Sequence, residues 1–142
     1  MYKKIVIKIG TNVITQDDGF LNTKVMKNIA DQISILTKKG TQIVVVSSGA
    51  MGAGRSLITL KHTKQEVIMR QALAAVGQVS LMSAYADLFK KNNIIIAQVL
   101  ATKEDFRDRK HYLNMKQCIG GLLEERIIPI LNENDVVAVE EL

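Results

Sequence analysis

The sequence contains one cysteine, Cys118, one proline, Pro129, and no tryptophan. A single thiol cannot close an internal disulfide, and it founds neither a secreted disulfide scaffold nor a cysteine metal cluster. Three phenylalanines and three tyrosines leave little aromatic surface on which single-stranded bases could stack. His62 and His111 stand apart, without cysteine or carboxylate neighbours at metal-ligand spacing, so no protein-held metal is expected. No uninterrupted apolar run approaches the roughly 20 residues of a membrane span. Met1-Tyr2-Lys3-Lys4-Ile5 runs directly into a strand-like segment, without the pattern of a signal peptide. The expectation is a cytoplasmic protein with no membrane partner.

What is present is ordinary for a folded domain. The 142 residues are 47% hydrophobic and 23% charged, the size of one domain or of a piece of a larger one. Lysine and arginine number 19 against 14 aspartates and glutamates, a formal net charge of +5. The basic residues occur singly or as the pairs Lys3-Lys4, Lys38-Lys39 and Lys90-Lys91. Two of those pairs close helix-like segments, where cations suit the negative end of the helix dipole. Nucleic acid is therefore not expected as a partner.

Four β-branched runs stand out: Ile5-Val6-Ile7, Ile43-Val44-Val45-Val46, Ile94-Ile95-Ile96 with Val99-Leu100, and Ile127-Ile128-Pro129-Ile130-Leu131. None alternates apolar with polar, the mark of strands covered on both faces. Pro129 suggests an edge position or a locally unpaired amide in the fourth. Between the runs lie helical patterns. Asn22 or Thr23 can cap a helix carrying Val25, Met26, Ile29, Ile33 and Leu36, closed at Lys38-Lys39-Gly40. Thr63-x-x-Glu66 resembles a capping box opening a long segment interrupted at Gly77, and Thr102-x-x-Asp105 resembles another start. Alternating strands and helices predict an α/β fold, an open and mainly parallel sheet with helices on both faces.

In such a sheet, ligands bind beyond the carboxyl ends of the strands. The four runs are followed by Lys8-Ile9-Gly10-Thr11-Asn12, Ser47-Ser48-Gly49-Ala50, Ala101-Thr102-Lys103-Glu104-Asp105 and Asn132-Glu133-Asn134-Asp135. These polar groups would meet along one rim, suited to a small polar ligand. Lys8 sits in an otherwise apolar strand, where an unpaired buried ammonium is costly. It either neutralises a phosphoryl group in flight or reaches out to solvent. Gly10 and Gly49 let backbone amides approach an anion, or they make ordinary strand-to-helix turns. Asn134 and Asp135, with their neighbours, suit an amino acid's ammonium and backbone, or form a solvated turn.

Gly49-Ala50-Met51-Gly52-Ala53-Gly54-Arg55-Ser56 spells G-x-x-x-x-G-R-S, one residue from a P-loop. A planar guanidinium replaces poorly the point charge of the P-loop lysine, and no run is followed directly by a Walker-B-type acid. The small residues instead predict a helix packed tightly on the sheet. Ser47 and Ser48 have no histidine assignable as a base.

Taken together, these segments resemble the amino-acid kinase family, and within it the branch that phosphorylates the glutamate side chain. The matching stretches are Ile5–Val13, Val44–Arg55, Gln71–Gln78, Thr102-x-x-Asp105, Arg109-x-x-Tyr112-Leu113-Asn114 and Ile128–Asp135. The resemblance implies transfer of the γ-phosphoryl of MgATP to the side-chain carboxylate of L-glutamate, the first step of proline synthesis. It implies that Lys8 stabilises the phosphoryl group in transfer as the catalytic cation. Lys8, Gly10 and Gly49 would surround the phosphate, and Ser48, Asn134 and Asp135 would hold glutamate. ATP and Mg2+ are implied as bound mainly by a second half that follows in family members. Residues 1–142 thus read as an incomplete kinase domain without its nucleotide-binding half. The alternative expectation is a catalytically silent fragment that binds glutamate or joins an oligomer. The family also implies a homo-oligomer and feedback inhibition by proline.

Overall fold

The computed structural model describes residues 2–62 and 65–138. Strand β1 (Lys4–Ile9) leads through the single turn α1 (Thr11–Ile14) and helix α2 (Thr23–Lys38) to β2 (Gln42–Ser47). Helices α3 (Ala50–Leu57) and α4 (Glu66–Lys90) lead to β3 (Ile96–Ala101), and α5 (Lys103–Arg107) and α6 (Arg109–Glu124) lead to β4 (Ile128–Glu133). All strand pairs are parallel, in the order β1-β2-β4-β3. The predicted α/β class with a parallel sheet is what forms.

Local chemistry sets the helix ends. The Asn22 side chain caps α2 by accepting from the Val25 amide at 3.1 Å, and Gly40, at φ +88°, follows its end. Thr102 and Asp105 form the expected capping box on α5. Thr63 lies outside the described residues, and the residue before α4 is Gln65.

The chain moves one way across the sheet from β1 to β2 to β3, then turns back to insert β4 between β2 and β3. Right-handed crossovers put the helices of the first two connections on one face and those of the last on the other. The side chains agree. Met26, Ala30 and Ile33 of α2 and Leu81, Tyr85 and Phe89 of α4 share one core with Ile43, Val45, Ile128 and Ile130. Phe106 of α5 lies instead with Val46 and Leu131, which alternate to the opposite face. That second face is thinly covered at β1, where Val6 is 68% exposed.

Three expectations need correction. Gly77 does not interrupt the long segment: α4 is continuous over 25 residues. Pro129 is not at an edge, since β4 lies between β2 and β3. The unpaired-amide alternative fits, because the Ile128 amide donates to Ile95 in the direction of β3 at 3.0 Å. The next backbone position then faces β2, where pairing starts only at Val45 and Ile130. The small residues of α3 pack not on the sheet but on α4. A β-carbon at Gly54 would lie 1.9 Å from the Leu73 carbonyl oxygen.

Helix α4 is also long and apolar enough to cross a membrane by length and composition. Here it is a core helix, with Leu73, Ala74, Gly77, Leu81, Tyr85 and Phe89 buried.

Candidate active site

The carboxyl ends of β2 and β4, neighbours in the sheet, lie on one rim, the usual ligand position in an open α/β sheet. A cleft of about 270 Å³ opens there, and its lining includes Thr11, Ser48, Gly49, Arg55, Glu133 and Asp135.

One wall is the entry to α3. Gly49 takes φ +95°, a left-handed conformation that side-chain-bearing residues adopt only under strain. This turns the chain so that α3 begins at Ala50 and its amino end lines the cleft. The first amides of a helix lack partners inside it and carry the positive end of its dipole, which favours an anion. Arg55 adds a guanidinium. Beneath this wall, Ser47 is buried and donates to the Ser48 carbonyl at 3.1 Å. Its single proton thus engaged, it accepts from the Tyr85 hydroxyl at 2.9 Å. Burial, the largest influence, pushes the Tyr85 phenol above its usual range despite Ser47, so Tyr85 stays a neutral donor.

The other wall is the end of β4. The strand runs two residues further than its apolar run, so Asn132 and Glu133 belong to it and Asn134 and Asp135 follow. The buried Asn132 donates to Gln78 Oε1 at 2.8 Å and accepts the Glu133 amide at 2.9 Å. Asn134 donates its backbone amide to the Ala101 carbonyl at 2.9 Å. Asp135 is partly buried, and its carboxyl is raised above the usual aspartate range, chiefly by burial and then by Glu133. Arg70 on α4 pulls the other way. A cation beside Asp135 would relieve both causes.

Of the residues singled out from sequence, Ser48, Gly49 and Asp135 meet in this cleft. Asn134 lines the neighbouring hollow against α4 instead. Lys8 is exposed on the open face of β1, paired in register with Val46. The cost of a buried ammonium therefore does not arise, and solvent exposure is what the structure shows. Gly10 follows β1 with an extended backbone at φ −76°. The near-P-loop segment is helix from Ala50 onward, not a loop around phosphates. His111 does have a carboxylate neighbour, Asp105 at 3.1 Å, brought close by the elbow between α5 and α6.

The sequence pattern of the amino acid kinase family matches residues 3–142. The chain belongs to the amino acid kinase family. It is 49% identical over its whole length to a protein named glutamate 5-kinase from Chlorobaculum tepidum, covering 39% of that relative. It is 44% identical to a glutamate 5-kinase of Bacteroides thetaiotaomicron, over 99% of this chain and 39% of the relative. A glutamate 5-kinase of Alkaliphilus metalliredigens is 46% identical over 99% of the chain and 53% of its own length. The chain thus spans about two fifths to one half of these relatives.

Residues missed in sequence reasoning serve mainly as supports. Tyr85 belongs to none of the motifs in the sequence, and Gln78 only ends the Gln71–Gln78 stretch. Their signal was their helical phase, which places them on the face of α4 turned towards the sheet.

Proposed function

We propose that this chain forms the glutamate side of a glutamate 5-kinase, which converts L-glutamate and ATP into L-glutamyl 5-phosphate and ADP. The observation that carries the reading is the polarity of the cleft: the amino end of α3 with Arg55 on one wall, and Glu133 with Asp135 on the other. An amino acid has an ammonium for one and a carboxylate for the other. The relatives' names point the same way.

In this reading Asp135 holds the α-ammonium, Asn134 would join it by turning in from the neighbouring hollow, and Ser48 offers its hydroxyl to a carboxylate. A side-chain carboxylate oxygen of glutamate attacks the γ-phosphorus, and the bond from that phosphorus to the β–γ bridging oxygen breaks, leaving ADP. MgATP supplies the phosphoryl group. Glu133 and Asp135 are oxygen donors of the kind Mg2+ accepts, but two carboxylates do not make a cage, and Mg2+ commonly rides on substrate phosphates. The amides of Gly10 and Gly49 would face the phosphoryl oxygens, and Lys8 would swing from its exposed position to neutralise their charge. Product of this kind is proline's precursor, and proline would compete for the same ammonium-holding carboxylate.

The share of the relatives' length that the chain spans favours a second reading for residues 1–142 alone, binding of glutamate without turnover. Hydroxamate formation from L-glutamate and MgATP, run beside calorimetric titration of L-glutamate, separates the two. Turnover supports the kinase reading for the chain itself, and binding without turnover supports the second. A chain that binds neither L-glutamate nor proline, while folded, sinks both.

A further inference from the structure

We propose that Gln71 and Gln78 are positioning residues that set where Asp135 stands in the cleft, with α4 acting as a single ruler for both cleft walls. This rests on the glutamate-side reading above. The two glutamines are seven residues apart, two helical turns, and so share one face of α4. Gln71 donates to the Val136 carbonyl at 2.7 Å, the residue after Asp135. Gln78 accepts from Asn132 at 2.8 Å and donates to Gln98 of β3 at 3.0 Å. The segment Glu133-Asn134-Asp135 is thus held at both ends from one helix. The same helix fixes the opposite wall. A β-carbon at Gly77 would lie 1.7 Å from the Ala50 carbonyl oxygen, so α4 and the first turn of α3 touch backbone to backbone. Between the two grips the distance from the α3 amino end to Asp135 has few ways to change. The consequence is selectivity by length, because an acceptor must bridge two walls whose separation α4 dictates.

The test is calorimetric titration of L-glutamate into the wild-type chain and into Gln71→Met, Gln71→Glu and Gln78→Met. Gln71→Glu keeps the size but loses the donor. The dissociation constant should rise about tenfold in each variant, the equivalent of one hydrogen bond, with Gln71→Glu no better than Gln71→Met. Hydrogen exchange supplies a second readout. The Val137 and Ala138 amides donate to the Asn134 carbonyl at 3.1 and 2.8 Å, and in Gln71→Met they should exchange faster while sheet amides stay protected. Variants that bind glutamate like the wild type overturn the inference alone. Faster exchange throughout the sheet also overturns it, in favour of a purely structural role. A folded wild type that does not bind glutamate overturns the glutamate-side reading, and the inference with it.

Discussion

The backbone of Gly77 lies directly against the carbonyl of Ala50, close enough that a β-carbon at 77 would stand 1.7 Å from that oxygen and 2.4 Å from the Gly54 nitrogen. Neither neighbour is a flexible side chain, so the two helices would have to separate. Gly77→Ala should therefore destabilise the chain by about 3 kcal/mol or more, or prevent folding. Gly120 in α6 is the control, since a β-carbon there meets nothing within 4 Å. Gly120→Ala should stabilise by about 0.5–1 kcal/mol. Urea midpoints of the two variants measure this, and equal shifts would dispose of the helix-crossing argument.

Gly49 and Gly10 looked alike in sequence, and the structure separates them. At Gly49 the backbone is left-handed, and a β-carbon would approach Ile14 Cδ1 to 3.2 Å. Gly49→Ala should lose about 1–2 kcal/mol of stability. At Gly10 the backbone is extended, and a β-carbon meets no protein atom within 4 Å. Gly10→Ala should melt within about 0.5 kcal/mol of the wild type. On the proposed function it should still slow phosphoryl transfer by about a hundredfold, the effect of a small misplacement of reacting groups. A Gly10→Ala protein with full hydroxamate activity would show that no reacting group approaches that amide.

The architecture was legible in the sequence because apolar runs and helical periods alternate without ambiguity from Ile5 to Leu131. The rim was legible because polar residues follow each run. Distances across the chain were not. Gly77 reads as a break when helix propensity alone is considered, and only its contact with Ala50 reveals a crossing point. Pro129 suggested an edge because strand order cannot be read from composition, and the late insertion of β4 put it inside the sheet. Lys8 invited a burial argument because its neighbours are apolar, yet alternation along β1 turns it, with Val6, to the open face. Gln71 and Gln78 offered only a helical phase, and the hold of both on the end of β4 joins segments too far apart in the chain for any local pattern to carry.

The Lys8 ammonium makes no hydrogen bond or ion pair among the described residues, and the residue is exposed. Lys8→Met should leave the thermal midpoint unchanged, since nothing in the fold depends on the ammonium. In the phosphoryl-transfer assay the same change should lower kcat at least about a hundredfold, about 3 kcal/mol of transition-state stabilisation. Lys8→Arg should not restore it, because a planar fork replaces a compact charge. Retained turnover in Lys8→Met would remove this residue from the reaction.

Asp135 should make glutamate binding depend on pH in a direction opposite to its effect on folding. Its carboxyl is raised in the folded chain, first by burial and then by Glu133. The fold therefore disfavours the ionised form. Without ligand, stability from this group is gained as pH falls from the raised value towards the unfolded one, about 3.9. Glutamate's ammonium needs the ionised form, so affinity should be lost over that same interval. Glutamate's own side chain also protonates, at about pH 4.3, and an Asp135→Asn protein reports that contribution alone. Asp135→Asn removes the titrating group, so it should bind more weakly at neutral pH and lose less affinity than the wild type as the pH falls. Titrations of both proteins across this range decide it. A wild type whose affinity falls with pH no more steeply than that of Asp135→Asn would mean that Asp135 does not hold the ammonium.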